Sequence, residues 1–181
     1  MAKATHFGPT VLVVSISFTL AMTQLSFSKS FEIALAILAG QCVVGWTNEL
    51  VDEERDAEAG RSKKPLVNGS VTRKQLQVGI GVALTAAILL SFLGPLGLRG
   101  GWLHLLGLGS ATVYNFWAKS TLVSPLPYAI SFGALPWAIY SAANKATATD
   151  YFQKSVATDA KDYYEFTSAA AELKFLKARP K

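Results

Sequence analysis

The chain has 181 residues, 51% of them hydrophobic and 16% charged, with a mean hydropathy of +0.31. Soluble domains carry about 25% charged residues, so this composition excludes an ordinary soluble domain and points to a membrane protein. A net charge of +5 fits Lys- and Arg-rich cytoplasmic loops; no basic stripe interleaved with aromatics suggests nucleic acid, and the single cysteine, Cys42, excludes a disulfide framework.

Five apolar segments follow in order. The first covers about residues 9–27 and meets no charge until Lys29. It is long for a signal peptide, and Ser26-Phe27-Ser28 is a poor cleavage site, so it reads as a retained span. The second covers about residues 31–50, with Glu32 at its outer end. The third, about 76–93, is rich in Gly, Ala, Leu and Ile, as packed membrane helices are. Gly94-Pro95-Leu96-Gly97 ends it. The fourth, about 102–117, and the fifth, about 126–143, are short for a span of about 20 residues. Pro136 falls inside the fifth and is expected to kink it. The expected fold is all-α: an integral membrane helical bundle of about five transmembrane helices plus an amphipathic C-terminal segment.

Residues 51–75 form one long charged loop, carrying Arg55, Arg61, Lys63, Lys64, Arg73 and Lys74. The positive-inside rule makes this loop cytoplasmic. Residues 1–145 read as the bundle and 146–181 as a polar, helical tail. In that tail Phe152, Val156, Tyr163, Phe166, Ala170 and Leu173 share one helical face. Trp46, Trp102, Trp117 and Trp137 read as membrane-interface anchors or neighbours of the kink. His6 and His104 are separated by two spans and read as isolated interfacial side chains, not a metal pair.

The charged loop holds the chemistry. Asn48, Asp52 and Asp56 are spaced i, i+4, i+8, which puts three oxygen-bearing side chains on one helix face. Such oxygens suit a hard divalent cation such as Mg²⁺. Arg61, Lys63 and Lys64 follow at once and suit phosphate oxygens. A solubilising loop needs neither the four-residue period nor acids beginning within a membrane helix, where unpaired carboxylates are expensive.

The run from Gly40 to Asp56, followed by Gly60-Arg61-Ser62-Lys63-Lys64-Pro65-Leu66, resembles the first aspartate-rich motif of the UbiA family of intramembrane prenyltransferases. That motif is N-x-x-x-D-x-x-x-D, then G-R-x-x-[RK]-P-L. Phe7-Gly8-Pro9-Thr10, the stretch Tyr114-Asn115-Phe116-Trp117-Ala118-Lys119 and the stretch Ser124-Pro125-Leu126-Pro127-Tyr128-Ala129 are similar to family members in order and spacing. The resemblance covers about residues 6–142. It implies Mg²⁺-dependent transfer of a prenyl group from a prenyl diphosphate to a lipid or aromatic acceptor. Carried onto this chain, Asn48, Asp52 and Asp56 would be metal ligands, with Asp52 and Asp56 catalytic. Arg61, Lys64 and Lys119 would face the diphosphate. The implied location is a multi-pass protein of a bacterial inner or plasma membrane, with membrane lipids as neighbours and no nucleic-acid partner.

Glu49 stands where many members have Asp, off the proposed metal-facing stripe. The family's second aspartate motif, expected after a further membrane helix, has no counterpart here. Asp159 and Asp162 are the only acidic pair nearby, in the polar tail. The chain therefore reads as the front half of such an enzyme with a tail of unclear origin. The enzyme is then either a short form completed by a second copy or a membrane partner, or a fragment whose remainder lies outside this sequence. The alternative is a non-catalytic accessory membrane subunit derived from a prenyltransferase.

Overall fold

The computed structural model describes residues 1–157 and 170–175. A short 3-10 turn, Ala2–Thr5, leads into five helices: α1 (Phe7–Met22), α2 (Phe27–Glu58), α3 (Arg73–Leu93), α4 (Gly97–Phe116) and α5 (Pro125–Ala157). Residues 170–175 are also helical, and no strand occurs among the described residues. Each expected apolar segment maps onto one helix. Tyr163 and Phe166 of the amphipathic face, and the pair Asp159 and Asp162, lie outside the described residues.

The helices are longer than the apolar stretches that signal them. α2 continues past its apolar part to Glu58, so the first third of the charged loop is helix and the i, i+4, i+8 register of the acids is real. It stops where Gly60 turns left-handed at φ 66° and the Arg61 N–H closes onto the Asp56 carbonyl at 2.9 Å. α3 starts with a capping box. The Thr72 side chain accepts from the Gln75 N–H while the Gln75 side chain accepts from the Thr72 N–H. α5 runs through Pro136 and on through residue 145 without a break.

α2 is the central helix, packing on α1, α3 and α4, while α5 packs on α4 and α1. Ala21, Ile33, Ala36, Ile37, Leu96, Ala138, Ile139 and Ala142 form one core where α1, α2 and α5 meet. Val43, Ala83, Ala87 and Leu108 form a second core between α2, α3 and α4. Ala4, Val71 and Leu76 form a third that seats the N-terminal turn against α2 and α3. Small residues recur in these contacts, as close helix packing in a membrane requires. Large apolar side chains, including Leu12, Ile16, Val82, Leu93, Leu98 and Trp137, face outward. Water would penalise that surface; lipid does not. α2 and α3 are each long and apolar enough to cross a membrane, and α1 is a shorter apolar helix.

Ile33 is completely buried in the first core. Ile33→Ala should cost about 2–4 kcal/mol by lost contacts and a residual cavity. Leu122→Ala, at a fully exposed position, should stay within about 0.5 kcal/mol of wild type. Denaturant unfolding in detergent micelles measures both.

Candidate functional site

α1, α2, α4 and α5 line a partly open cavity of about 450 Å³. Its lining stretch of α2 runs from Ile37 to Asp52, about 22 Å at the α-helical rise. Val13, Ile37, Leu103, Leu108, Phe132 and Leu135 make most of it apolar. One end is polar, formed by His6, Asn48, Asp52 and Lys119. Tyr114 and Tyr128 line the cavity, their rings 4.5 Å apart and tilted by 59°.

The polar end is assembled from three parts of the chain. Asn48 and Asp52 are one helical turn apart on α2. Lys119 comes from the 3-10 turn Ala118–Ser120 that follows α4. Its Nζ donates to Asp52 Oδ1 at 2.5 Å and reaches Asn48 Oδ1 at 3.4 Å. One cation thus sits where two side-chain oxygens converge. Asn115 ties α4 to α2 just beneath, its Nδ2 donating to the Val44 carbonyl at 2.8 Å.

His6 completes this end. Asn48 Nδ2 donates to His6 Nε2 at 3.1 Å, which leaves Asn48 Oδ1 pointed at Lys119. Burial, reinforced by the Lys64 charge and opposed by Glu49, Asp52 and Asp56, holds the His6 imidazole below its ordinary 6.5. The ring is therefore neutral at pH 7 and able to accept. His6 has φ 53° and ψ 64°, left-handed backbone that a non-glycine residue adopts at a cost of about 1–3 kcal/mol.

A second ionic cluster adjoins the first. Asp56 is buried and does not line the cavity. Arg61 donates to its Oδ1 at 2.8 Å and Lys64 lies 3.2 Å from its Oδ2. Lys64 also donates to Glu49 Oε2 at 3.2 Å, and the Leu66 N–H donates to Glu49 Oε1 at 3.3 Å. Burial alone would lower the Lys64 pKa, but hydrogen bonds and charge from Glu49 and Asp56 raise it above its ordinary 10.5. Arg55 pairs with Asp52, and Arg73 with Glu53.

Asn48, Asp52 and Lys119 thus share one site, and Asp56, Arg61 and Lys64 share its neighbour. Among the described residues, no group of three or more His, Cys, Asp or Glu side chains is arranged to hold a metal. Asn48 and Asp52 remain the oxygens that already converge on a cation. Glu49, which spacing puts off the stripe, is in fact 2% exposed and pins the loop through Lys64 and Leu66. His104 is not interfacial: it is buried between α3 and α2 and borders the cavity. Gln41 also lines it. No spacing rule marks either residue, because each becomes a cavity residue only through α2–α4 packing.

The sequence model of the UbiA prenyltransferase family matches residues 9–157, most of the chain. The chain belongs to that family. No curated protein and no solved structure matches it. UbiA membership makes an apolar cavity with one charged end functionally coherent: the family acts within membranes, on prenyl diphosphates and lipophilic acceptors.

Glu49→Ala removes the acceptor for both Lys64 and the Leu66 N–H. It should destabilise residues 59–72 by about 2 kcal/mol, read as faster amide exchange at Leu66. In the wild type the Lys64 pairing is fully present below the unfolded pKa. It is lost as pH rises through the raised folded value, above the ordinary 10.5. On the alkaline side, exchange protection at Leu66 should therefore fall in that window.

Proposed function

We propose that the chain binds a prenyl diphosphate at the Asn48–Asp52–Lys119 end of the cavity and transfers its prenyl group to an acceptor held in the apolar part. The observation that carries this reading is the convergence of Asn48 Oδ1 and Asp52 Oδ1 on the Lys119 ammonium at the mouth of a greasy cavity. Hard oxygens already placed around a positive charge fit a divalent cation such as Mg²⁺. Asn48 and Asp52 would hold it at the cavity end, and Asp56, one turn further along α2, would join them once Arg61 and Lys64 turn from it to the diphosphate. When bound, the cation screens the diphosphate and favours its departure.

On this side of the diphosphate the chain's own residues do the rest; the side that the family's second aspartate motif would line falls to a second copy or a membrane partner. In the transfer the C1–O bond of the prenyl diphosphate breaks and diphosphate leaves with the electron pair. The acceptor's nucleophilic atom bonds to C1 and gives up a proton. Lys119, Arg61 and Lys64 can exchange their carboxylate partners for diphosphate oxygens, which stabilises the charge that builds up on the leaving group. Tyr114 and Tyr128 line the cavity, where aromatic rings can stabilise positive charge developing at C1. Val13, Leu108 and Phe132 keep water from it. His6 fixes the Asn48 amide so that its oxygen, not its nitrogen, faces the cation. The same reading makes the protein multi-pass, with about five spans, residues 51–75 cytoplasmic and a bacterial inner or plasma membrane as its location. It divides the chain into a bundle over 1–145 and a tail over 146–181, with α5 as one continuous helix across that boundary.

The test is transfer of radiolabelled prenyl diphosphate to endogenous lipophilic acceptors in membranes. Wild type should transfer label with Mg²⁺ and lose activity when the metal is chelated. Asp52→Asn keeps the shape and removes the charge; the rate should fall at least about 100-fold. No transfer by wild type, or equal transfer by Asp52→Asn, would sink the proposal.

A further inference from the structure

His104 is buried, at 6% exposure, yet its ring borders the cavity. Its Nδ1 lies 2.7 Å from Ser91 Oγ of α3. Ser91 Oγ donates its single hydrogen to the Ala87 carbonyl at 2.5 Å. Toward the imidazole it can therefore only accept. Nδ1 carries the ring proton, and in the neutral ring Nε2 is a bare lone pair. The ring is neutral because no carboxylate among the described residues touches it and an unpaired charge among apolar helices is expensive.

Nε2 points toward α2 at its barest spot. A Cβ added to Gly40 would come within 3.0 Å of it. Among the described residues the ring's one hydrogen bond is with Ser91. No side-chain nitrogen or oxygen there is both sealed from solvent and unpartnered. Nε2 therefore opens onto the cavity. It is an acceptor left for something that enters. Gln41, beside Gly40 on α2, supplies a second polar side chain along the same lining.

We infer that His104 Nε2 is a recognition subsite for a hydrogen-bond donor, an alcohol, phenol or N–H, carried by an otherwise apolar ligand in the cavity. The inference rests on the reading of this cavity as the acceptor's binding place and adds the class of its polar group. A carboxylate or ketone offers no donor and would leave both lone pairs facing each other. From Gly40 to Asn48 along α2 is about 12 Å. His104 therefore sits well below the diphosphate end and takes no proton at the reacting carbon. It selects an elongated ligand by its far end. Sequence spacing hides this because Ser91, His104 and Gly40 lie on three different helices.

The experiment compares 4-butylphenol with its methyl ether, 4-butylanisole, binding to the full chain in lipid nanodiscs, each referenced to empty nanodiscs. Neither Mg²⁺ nor prenyl diphosphate is present, so the result is independent of whether the wild type transfers prenyl groups. One buried neutral hydrogen bond should favour the phenol about tenfold in the wild type. His104→Phe should level the two, and Gly40→Ala, which pushes a methyl group at Nε2, should do the same. The chain has two histidines, so ¹⁵N-histidine NMR on the wild type provides a check that needs no variant. The phenol should move the His104 Nε2 resonance, and the ether should not. No binding of the phenol, equal binding of the pair by the wild type, a preference that survives in His104→Phe, or an unmoved Nε2 resonance would each overturn the assignment.

Discussion

Three carboxylates, Glu49, Asp52 and Asp56, are buried within two turns near the end of α2, and everything around them is arranged to pair them. A buried carboxylate without a partner costs several kcal/mol. α2 cannot supply the compensation alone, since its own Arg55 reaches only Asp52. Arg61 and Lys64 come back from the turn after α2, and Lys119 comes from the turn after α4. The charged loop is thus folded onto the helix end by ion pairing, and α4 is registered against α2 by the same demand.

That pairing also makes the site convertible. The bases that neutralise the acids are the groups a diphosphate would attract. The acids they would release are the oxygens a divalent cation would attract. A cation and an anion arriving together can exchange partners with the protein and leave no charge unpaired. Away from this end the lining is mostly apolar, with Tyr114 and Tyr128 along it and His104 and Gln41 among its few polar side chains. A gradient from ionic to apolar over about 22 Å suits a long molecule with a charged head.

Much of the helical framework was legible because a membrane leaves little freedom. Apolar runs near residues 9–27, 31–50, 76–93, 102–117 and 126–143 each became a helix, since backbone groups in lipid must bond within their own segment. The extension of α2 to Glu58 was written in the four-residue period of Asn48, Asp52 and Asp56. Helix ends were less visible. α5 runs on beyond its apolar run and through residue 145, because the rise in polarity there does not break the helix. Spacing underrates Glu49 because it reports which face a residue occupies and not what folds back onto that face. His104 looks interfacial in sequence alone because a lone histidine in an apolar run carries no sign of its partners.

The sequence by itself determined the helices, the family and the stripe of oxygens, because each rests on local periodicity or on a contiguous motif. Tertiary structure alone decided which base meets which acid, that Lys119 rather than Arg61 or Lys64 shares the cavity end with Asn48 and Asp52, and that His6 orients Asn48. Only packing turned Gly40 and Ser91 into the setting of His104. Those outcomes depend on how α1, α3 and α4 dock against α2, and helix docking is set by shape and charge matching between segments far apart in the chain, which no single stretch of residues encodes.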